Sequence, residues 1–191
     1  MSAINWNASI QFPSDSCFVN RIISAKFAPS NSGNPMITIE SEVVQPETYN
    51  VGGQDINIAG VKVKSYYTCK VMEGDVVNEE KTAQARSRVF VSANPEQPSL
   101  WDKLGLDGSK EDPENPNVKQ LEGICFYAQM SSRPDEQRKT PTAEQIALAK
   151  SKGQRALGDI MKNPVTGKAL CKYWPQIDEI FGVAEVSNLP K

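Results

Sequence analysis

The chain has 191 residues, of which 39% are hydrophobic, and this is enough for one domain with a hydrophobic core. Its net charge is -2, and no apolar run approaches the ~18 residues that a membrane span needs, so we expect no transmembrane segment. Histidine is absent, which excludes histidine triads, histidine metal centres and imidazole acid/base catalysis.

Residues 1–7 carry no positive charge and no apolar block, so they lack the layout of a secretory signal peptide and we expect a cytosolic protein. The four cysteines, Cys17, Cys69, Cys125 and Cys171, form no CxxC pair. Their spacing is unlike that of a zinc site, and cysteines of a cytosolic chain are usually buried free thiols. We therefore predict buried thiols and no cofactor.

The first predicted strand covers residues 18–27, where apolar and polar residues alternate. The side predicted to face the core holds the apolar odd positions, namely Val19, Ile23, Ala25 and Phe27. Residues 28–35 (APSNSGNP) have the composition of a turn, because Gly33 tolerates a positive φ and Asn and Ser bond to the local backbone.

The second predicted strand covers residues 36–44 and is ended by Pro46. Ile37, Ile39 and Val43 form its apolar side. Because only the short turn separates it from the first strand, we expect the two strands to pair antiparallel.

The middle of the chain is predicted to mix extended and helical structure. Residues 56–72 form a third extended stretch with a bulge or sharp bend at Gly60. Residues 74–92 favour a helix capped by Asn78, although the alternation within them leaves a strand open. Residues 99–104 are predicted to form a short capped helical turn.

The C-terminal half begins with an acidic loop at 107–117 that prolines interrupt. Residues 121–130 are predicted to form a strand with a glycine inside it. Apolar residues at helical spacing predict the main helix at 143–162. A last strand at 169–174 and a short helix at 176–181 complete the predicted elements.

These elements predict a mainly β protein with a minor helical part, folded as a small antiparallel Greek-key barrel of the OB-like type. An open sandwich of the same strands is the alternative. We predict one domain over residues 1–191, in which residues 131–168 form a basic helical insertion and residues 182–191 form a short tail.

The segment 61–71 (VKVKSYYTCKV) has apolar odd positions fit for a core, while its even positions place lysines around an aromatic ring. The even positions are Lys62, Lys64, Tyr66, Thr68 and Lys70. Binding of single-stranded nucleic acid requires cations along the backbone path and a ring on which an unpaired base stacks, for ~1–3 kcal/mol per base. The alternative is a solvated face whose lysines protect a sheet edge from aggregation.

A basic segment is hidden in the overall charge, since residues 130–175 hold 9 basic and 4 acidic side chains. Among its members are Arg133, Arg138, Lys139, Tyr173 and Trp174. Basic groups interleaved with aromatic ones are the expected footprint of phosphate and base contacts. The alternative is a solvated face of the predicted 143–162 helix.

Four other aromatic residues divide into two kinds. Trp101 and Phe181 lie beside Leu and Ile at helical spacing and are predicted core anchors. Phe126 and Tyr127 are adjacent on a predicted strand, so one of them faces solvent and is a candidate for base stacking.

Signals for an enzyme are weak. The turn NPVTGK lacks the first glycine and the Ser/Thr of a phosphate-binding loop, so it is interpreted as a hairpin turn. A metal-dependent nuclease would need spaced Asp, Glu and Lys residues, and no such constellation stands out. We expect a protein without enzymatic activity.

The segments SNSGNPMITIESEVV, VKVKSYYTCKV, LWDKLGL and LEGICFYAQ together resemble a group of small bacteriophage single-stranded DNA-binding proteins. The resemblance covers roughly the first two thirds of the chain. It implies an OB-fold that protects unwound DNA during phage replication, recombination or repair in the host cytoplasm, with replication or recombination proteins as further partners. By position, Lys62, Lys64, Tyr66 and Lys70 would then line the DNA groove.

The sequence therefore predicts binding of single-stranded DNA with little sequence preference, through contacts to phosphates and stacking on bases. The predicted DNA-contacting residues are Lys62, Lys64, Tyr66, Lys70, Arg86, Arg88, Tyr127, Arg133, Arg138, Lys139, Tyr173 and Trp174. The main alternative is a structural or assembly protein of a phage particle that uses the same lysines for protein contacts. A metal-dependent nuclease is the third.

Overall fold

The computed structural model describes residue 12 and the ranges 16–51, 54–134 and 173–185. The chain divides into two compact units. The larger comprises Cys17–Gln129 and Ile177–Lys191, and the smaller comprises Met1–Ser16 and Met130–Gln176.

In the smaller unit, two serines of one strand accept hydrogen bonds. The backbone N–H of Phe12 donates to Ser132 Oγ at 2.7 Å. Gln176 Nε2 lies 3.0 Å from Ser131 Oγ.

Strands dominate the described residues, with two α-helices between them. The elements are β1 Ser16–Pro29, β2 Pro35–Gln45, β3 Thr48–Val51, β4 Gln54–Asn57, β5 Lys62–Thr68, β6 Met72–Glu73, β7 Val76–Val77, α1 Glu79–Val89, α2 Leu100–Lys103, β8 Cys125–Pro134 and β9 Tyr173–Val183.

Five strands form one curled antiparallel sheet, a half-barrel, in the order β5-β2-β1-β8-β9. The turn between β1 and β2 places Pro29 opposite Pro35, and the two strands pair antiparallel, as predicted. β2 pairs with β5 on its other side, from Met36 opposite Thr68 to Glu42 opposite Lys62. The mainly β prediction and the antiparallel arrangement are confirmed.

The prediction for the core side of β1 is only partly correct. Val19 and Ala25 are buried as predicted, but Ser16, Phe18, Asn20 and Ile22 are buried as well, and Phe27 is only half-buried. Ile23, predicted for the core, is only half-buried. The register with β2 shifts between Val19 and Asn20 and again between Ile22 and Ser24. Each such register shift changes whether the odd-numbered or the even-numbered residues face the core. A strict two-residue alternation does not predict this change.

The predicted stretch 56–72 is not one continuous strand, since it contains the last two residues of β4, all of β5 and the first residue of β6. β4 pairs with β3 as a hairpin, and β5 begins after a turn at Gly60, whose φ is 78°. The bend that the glycine predicts is present, and it separates the strands because a positive φ breaks the extended backbone.

Both helices in the middle of the chain are confirmed. Asn78 caps α1, because its Oδ1 accepts a hydrogen bond from the backbone N–H of Lys81 at 3.0 Å. At α2, Ser99 and Asp102 form a capping box in which each side chain accepts from the other residue's backbone N–H. The helical interpretation of residues 74–92 is therefore correct over α1.

Gly108 and the Ser99 side chain both approach the backbone carbonyl of Phe90. A Cβ added to Gly108 would lie 1.8 Å from the Phe90 carbonyl oxygen, so only glycine fits there. The same oxygen accepts a hydrogen bond from Ser99 Oγ at 2.9 Å. The Phe90 ring packs against Trp101, with centroids 4.9 Å apart, and Trp101 is fully buried. Trp101 is thus the core anchor that the sequence predicts.

Several predictions for the later strands are wrong. β8 begins at Cys125 rather than at 121, because Leu121 closes a 3-10 helix and Gly123 turns with a φ of 89°. Residues 176–181 belong to β9 instead of a helix, since pairing within the sheet overrides the local helical spacing. Phe181 is 54% exposed and does not anchor the core.

Other C-terminal predictions fall largely outside the described residues. These are the helix at 143–162, the strand at 169–172 and the tail from 186 onward. Residues 131–134 of the predicted insertion are the end of β8, and its remainder, 135–168, lies outside the described residues. The helical insertion stays a prediction.

The described cysteines, Cys17, Cys69 and Cys125, are free thiols, but only Cys69 is buried. Burial raises the pKa of the Cys69 thiol to about 11. Cys17 is exposed because it alternates with buried neighbours at the start of β1, so the prediction of burial is wrong there. Cys171 lies outside the described residues.

Within the ranges that the structure describes, no helix has both the length and the apolar character required to cross a membrane.

Candidate nucleic-acid interface

β5 carries the exposed pattern that the sequence predicts for its even positions. The side chains of Lys62 and Lys64 are 53% and 58% exposed, and Tyr66 is 56% exposed. Val63, between the two lysines, is buried, and so is Val61 just before the strand. Pairing with β2 holds the strand extended, so that successive side chains point to opposite faces and the lysines and the tyrosine share one face.

The strand register extends this face across three strands. Tyr66 lies opposite Thr38, which lies opposite Lys26. The next outward row is Lys64, Glu40 and Ser24, and the third is Lys62, Glu42 and Arg21. We call these nine positions on β5, β2 and β1 the ladder face. Successive rows are two residues apart on β5 and β2, about 7 Å along the strands, whereas on β1 the register shift puts Arg21 three residues before Ser24.

Two carboxylates of β2 organise the cations of the ladder face. Glu40 lies 3.4 Å from both Lys62 Nζ and Lys64 Nζ, one at each of its oxygens. Glu42 Oε1 lies 2.6 Å from Arg21 Nη2. The nine positions hold four cations and two carboxylates, so positive charge remains in excess. Ion pairs near the surface contribute only ~0–1 kcal/mol to stability, although both carboxylates here are half-buried, with side chains 23% and 18% exposed.

Lys70 and Arg86 lie together in a separate cluster beyond the end of β5. Lys70 Nζ is 3.2 Å from Glu114 Oε2, and Arg86 Nη2 donates to Glu114 Oε1. The hydrogen bonds from Arg86 and then Lys70 hold the pKa of the Glu114 carboxyl below its usual range. The structure thus groups two of the predicted DNA-contacting residues around one carboxylate.

Arg88 belongs to a different surface, an open groove with a volume of about 840 Å³. The groove is lined by Arg88 of α1, Tyr67 of β5 and residues 177–181 of β9. Lys103, another lining residue, lies 3.5 Å from Glu179. Burial raises the pKa of Tyr67, whose side chain points away from the side of Tyr66.

Tyr127 is the outward residue of the aromatic pair on β8. It is 44% exposed, whereas Phe126 is buried, which confirms that the two face opposite ways. Strands β2 and β1 lie between β8 and β5 in the sheet, so roughly 14 Å of sheet separates Tyr127 from Tyr66. Tyr127 is therefore not part of the ladder face.

For the remaining predicted DNA-contacting residues, the structure describes no side-chain position. Arg133 lies in β8, and Tyr173 and Trp174 begin β9, but only their backbone is described. Arg138 and Lys139 lie outside the described residues.

Sequence reasoning missed Arg21, Lys26 and Glu40 as members of the candidate site. The signal was present in the turn between the first two strands, because Pro29 opposite Pro35 fixes the partners of every earlier residue down to the first bulge. Counting back from that turn places Lys26 opposite Thr38.

Comparison with known proteins identifies no relative, because no family model, no curated protein and no solved structure matches the chain. Among the residues that the structure describes, no three acidic or cysteine side chains cluster as they would to hold a metal ion.

Proposed function

We propose that the chain is a non-enzymatic protein that binds single-stranded DNA with little sequence preference through the ladder face. The observation that carries the proposal is the register of β1, β2 and β5, which places Lys26, Lys62, Lys64 and Arg21 on the same face as one half-exposed tyrosine ring. Cations beside a stacking ring suit an unpaired strand, whose bases are free to stack.

The fold supports the same proposal. OB-folds are five-stranded, partly open Greek-key barrels that bind oligonucleotides on the face of their second and third strands. In chain order the second and third strands of this five-stranded sheet are β2 and β5, which carry six of the nine ladder-face positions. We therefore propose an OB-like barrel with its binding face at these strands.

The charge of the ladder face favours salt-sensitive binding of moderate affinity. Its two carboxylates offset part of the positive charge, so affinity depends on phosphates that compete with Glu40 and Glu42 for the cations. Neutralising phosphates releases counterions. The logarithm of the affinity for single strands therefore falls linearly with the logarithm of the salt concentration, with a slope of about 0.7 for each phosphate contact. Such binding fits protection of unwound DNA in phage replication, recombination or repair, with replication or recombination proteins as partners.

A titration of fluorescein-labelled oligo(dT) monitored by anisotropy tests the proposal at low and at physiological salt. We expect Tyr66→Ala to weaken binding about 5- to 150-fold, the equivalent of one lost base stack. Tyr66→Phe keeps the ring and should retain most of the affinity. Replacing Lys62 and Lys64 by Ala should lower the salt slope by roughly 1.4.

The matched control replaces Lys81 and Lys110 by Ala, which removes the same charge from exposed positions off the ladder face. Because Tyr66 is mostly exposed, Tyr66→Ala should leave the free energy of unfolding within about 0.5 kcal/mol of the parent. Equal losses for the two lysine pairs would refute the site. Absence of binding at low salt would refute the function and favour a phage structural protein that uses this face for protein contacts.

A further inference from the structure

The cluster of Lys70, Arg86 and Glu114 has the chemistry of an occupied anion site. Lys70 Nζ lies 3.4 and 3.2 Å from the two oxygens of Glu114, and Arg86 Nη2 donates to one of them. A guanidinium and an ammonium that converge on one carboxylate offer the same donors to a phosphate oxygen.

The Arg86 guanidinium is held in place independently of Glu114. Arg86 Nε donates to the Cys69 carbonyl at 3.2 Å, which orients the guanidinium. The helix α1, which carries Arg86, is also bonded to the backbone next to Lys70, because Thr82 Oγ1 accepts from the backbone N–H of Val71 at 3.0 Å. The guanidinium is therefore preorganised, and the backbone that carries Lys70 is fixed beside α1.

Glu114 is the exposed partner of the cluster. Its side chain is 55% exposed, whereas those of Lys70 and Arg86 are 25% and 30% exposed. It extends from the proline-broken acidic loop, where Asp112 Oδ1 accepts from its backbone N–H at 2.9 Å. An exposed loop carboxylate over two half-buried cations is readily exchanged for another anion.

The cluster lies close to the proposed DNA-binding face. Lys70 follows Tyr66 by four residues, so their Cα atoms are at most about 14 Å apart even in a fully extended chain. Lys62, Lys64 and Tyr66 lie on β5, and Lys70 lies two residues beyond the end of that strand.

We infer that Lys70 and Arg86 form a further phosphate site for the same single strand, and that Glu114 occupies it in the free protein as an internal competing anion. A backbone phosphate of the bound strand displaces the Glu114 carboxylate. The inference rests on the proposed function, because the ligand is the strand that the ladder face binds.

The test measures binding of fluorescein-labelled oligo(dT) to Glu114→Gln at low salt. This variant keeps the shape of the side chain and removes its charge, so we expect affinity to rise about three- to tenfold. Glu80→Gln is the matched control, since it makes the same charge change on the exposed side of α1 and should leave affinity nearly unchanged. Melting temperatures of both variants verify that they fold.

A double-mutant cycle with Lys70→Gln separates a local site from general electrostatics. Lys70→Gln should have a small effect in the parent, where Glu114 competes for the cation, and should abolish the gain in the Glu114→Gln background. A gain that persists without Lys70 would overturn the inference. Inorganic phosphate alone, at constant ionic strength, should bind Glu114→Gln far more weakly than oligo(dT) does. Phosphate that binds as tightly as the strand would indicate a site for free phosphate and would overturn the inference.

The two proposals fail in different ways. If the parent binds oligo(dT) through Lys62, Lys64 and Tyr66 but Glu114→Gln binds no more tightly, the internal anion is refuted and the proposed function stands. If neither the parent nor Glu114→Gln binds at low salt, the proposed function fails and the inference fails with it.

Discussion

Replacing Gly108 by Ala should destabilise the protein more than any other exchange of a described glycine for alanine. Gly108 is not among the glycines with a positive φ, so the effect is steric and does not arise from backbone preference. The new Cβ would meet the Phe90 oxygen at 1.8 Å, the carbonyl carbon at 2.5 Å and Cα at 2.9 Å. These are backbone atoms and cannot rotate away.

The magnitude follows from the displacement that relieves the clash. An ordinary contact begins at 3.4 Å, so the Gly108 and Phe90 backbones must separate by about 1.6 Å. Overpacking of this kind costs about 1–3 kcal/mol. The shift also stretches the 2.9 Å bond from Ser99 Oγ to Phe90 O, and loss of a buried hydrogen bond costs about 1–3 kcal/mol more. We expect a loss of about 2–6 kcal/mol in the free energy of unfolding.

Urea denaturation followed by the fluorescence of the buried Trp101 measures this loss, and the melting temperature should fall by roughly 5–15 °C. Gly33→Ala is the control. No atom lies within 4 Å of its added Cβ, and a φ of 84° costs an alanine only about 1 kcal/mol. The reasoning is refuted if Gly108→Ala is as stable as Gly33→Ala.

Two further predictions concern carboxylates. Glu40→Gln should raise affinity for oligo(dT) about threefold at low salt, because it removes a negative charge about 7 Å from a bound phosphate. The control variant Glu80→Gln should leave the affinity unchanged. Anisotropy titrations in which Glu40→Gln binds no more tightly than the parent would contradict this prediction. The hydrogen bonds from Lys110 and then Ser109 lower the pKa of Asp107 from 3.8 to about 2, so their contribution to stability is present above about pH 4 and is lost as the pH falls toward 2. An NMR titration of the Asp107 carboxyl carbon should show this midpoint, and a midpoint near 3.8 would disprove the pairing.

The sequence predicted best those elements whose ends are set by neighbouring residues in the chain, such as helix caps and glycine turns. Asn78 and Ser99 cap the helices that they predict, and Gly33 and Gly60 turn the chain where they are expected to. The alternation of β5 held because one of its faces packs against the core.

The failures have nonlocal causes. Two register shifts change the parity of β1 near Asn20 and Ile22, and they depend on how β2 pairs. Phe181 has helical neighbours in sequence, yet the place of β9 in the sheet makes it a strand residue.

The candidate site was only partly predictable for the same reason. Lys62, Lys64 and Tyr66 are close in sequence and were found together, whereas Arg21 and Lys26 join them only through pairing across β2. Lys70 and Arg86 were predicted as separate contacts, and only the tertiary structure shows that they share Glu114.

The two ends of the described sheet differ in how they meet a neighbouring molecule. β5 presents Lys62 and Lys64, and mutual repulsion of such ammonium groups discourages edge-to-edge pairing with another copy. β9 instead exposes Phe181 and Val183. Of these two margins, the one at β9 is therefore the more prone to associate with another copy.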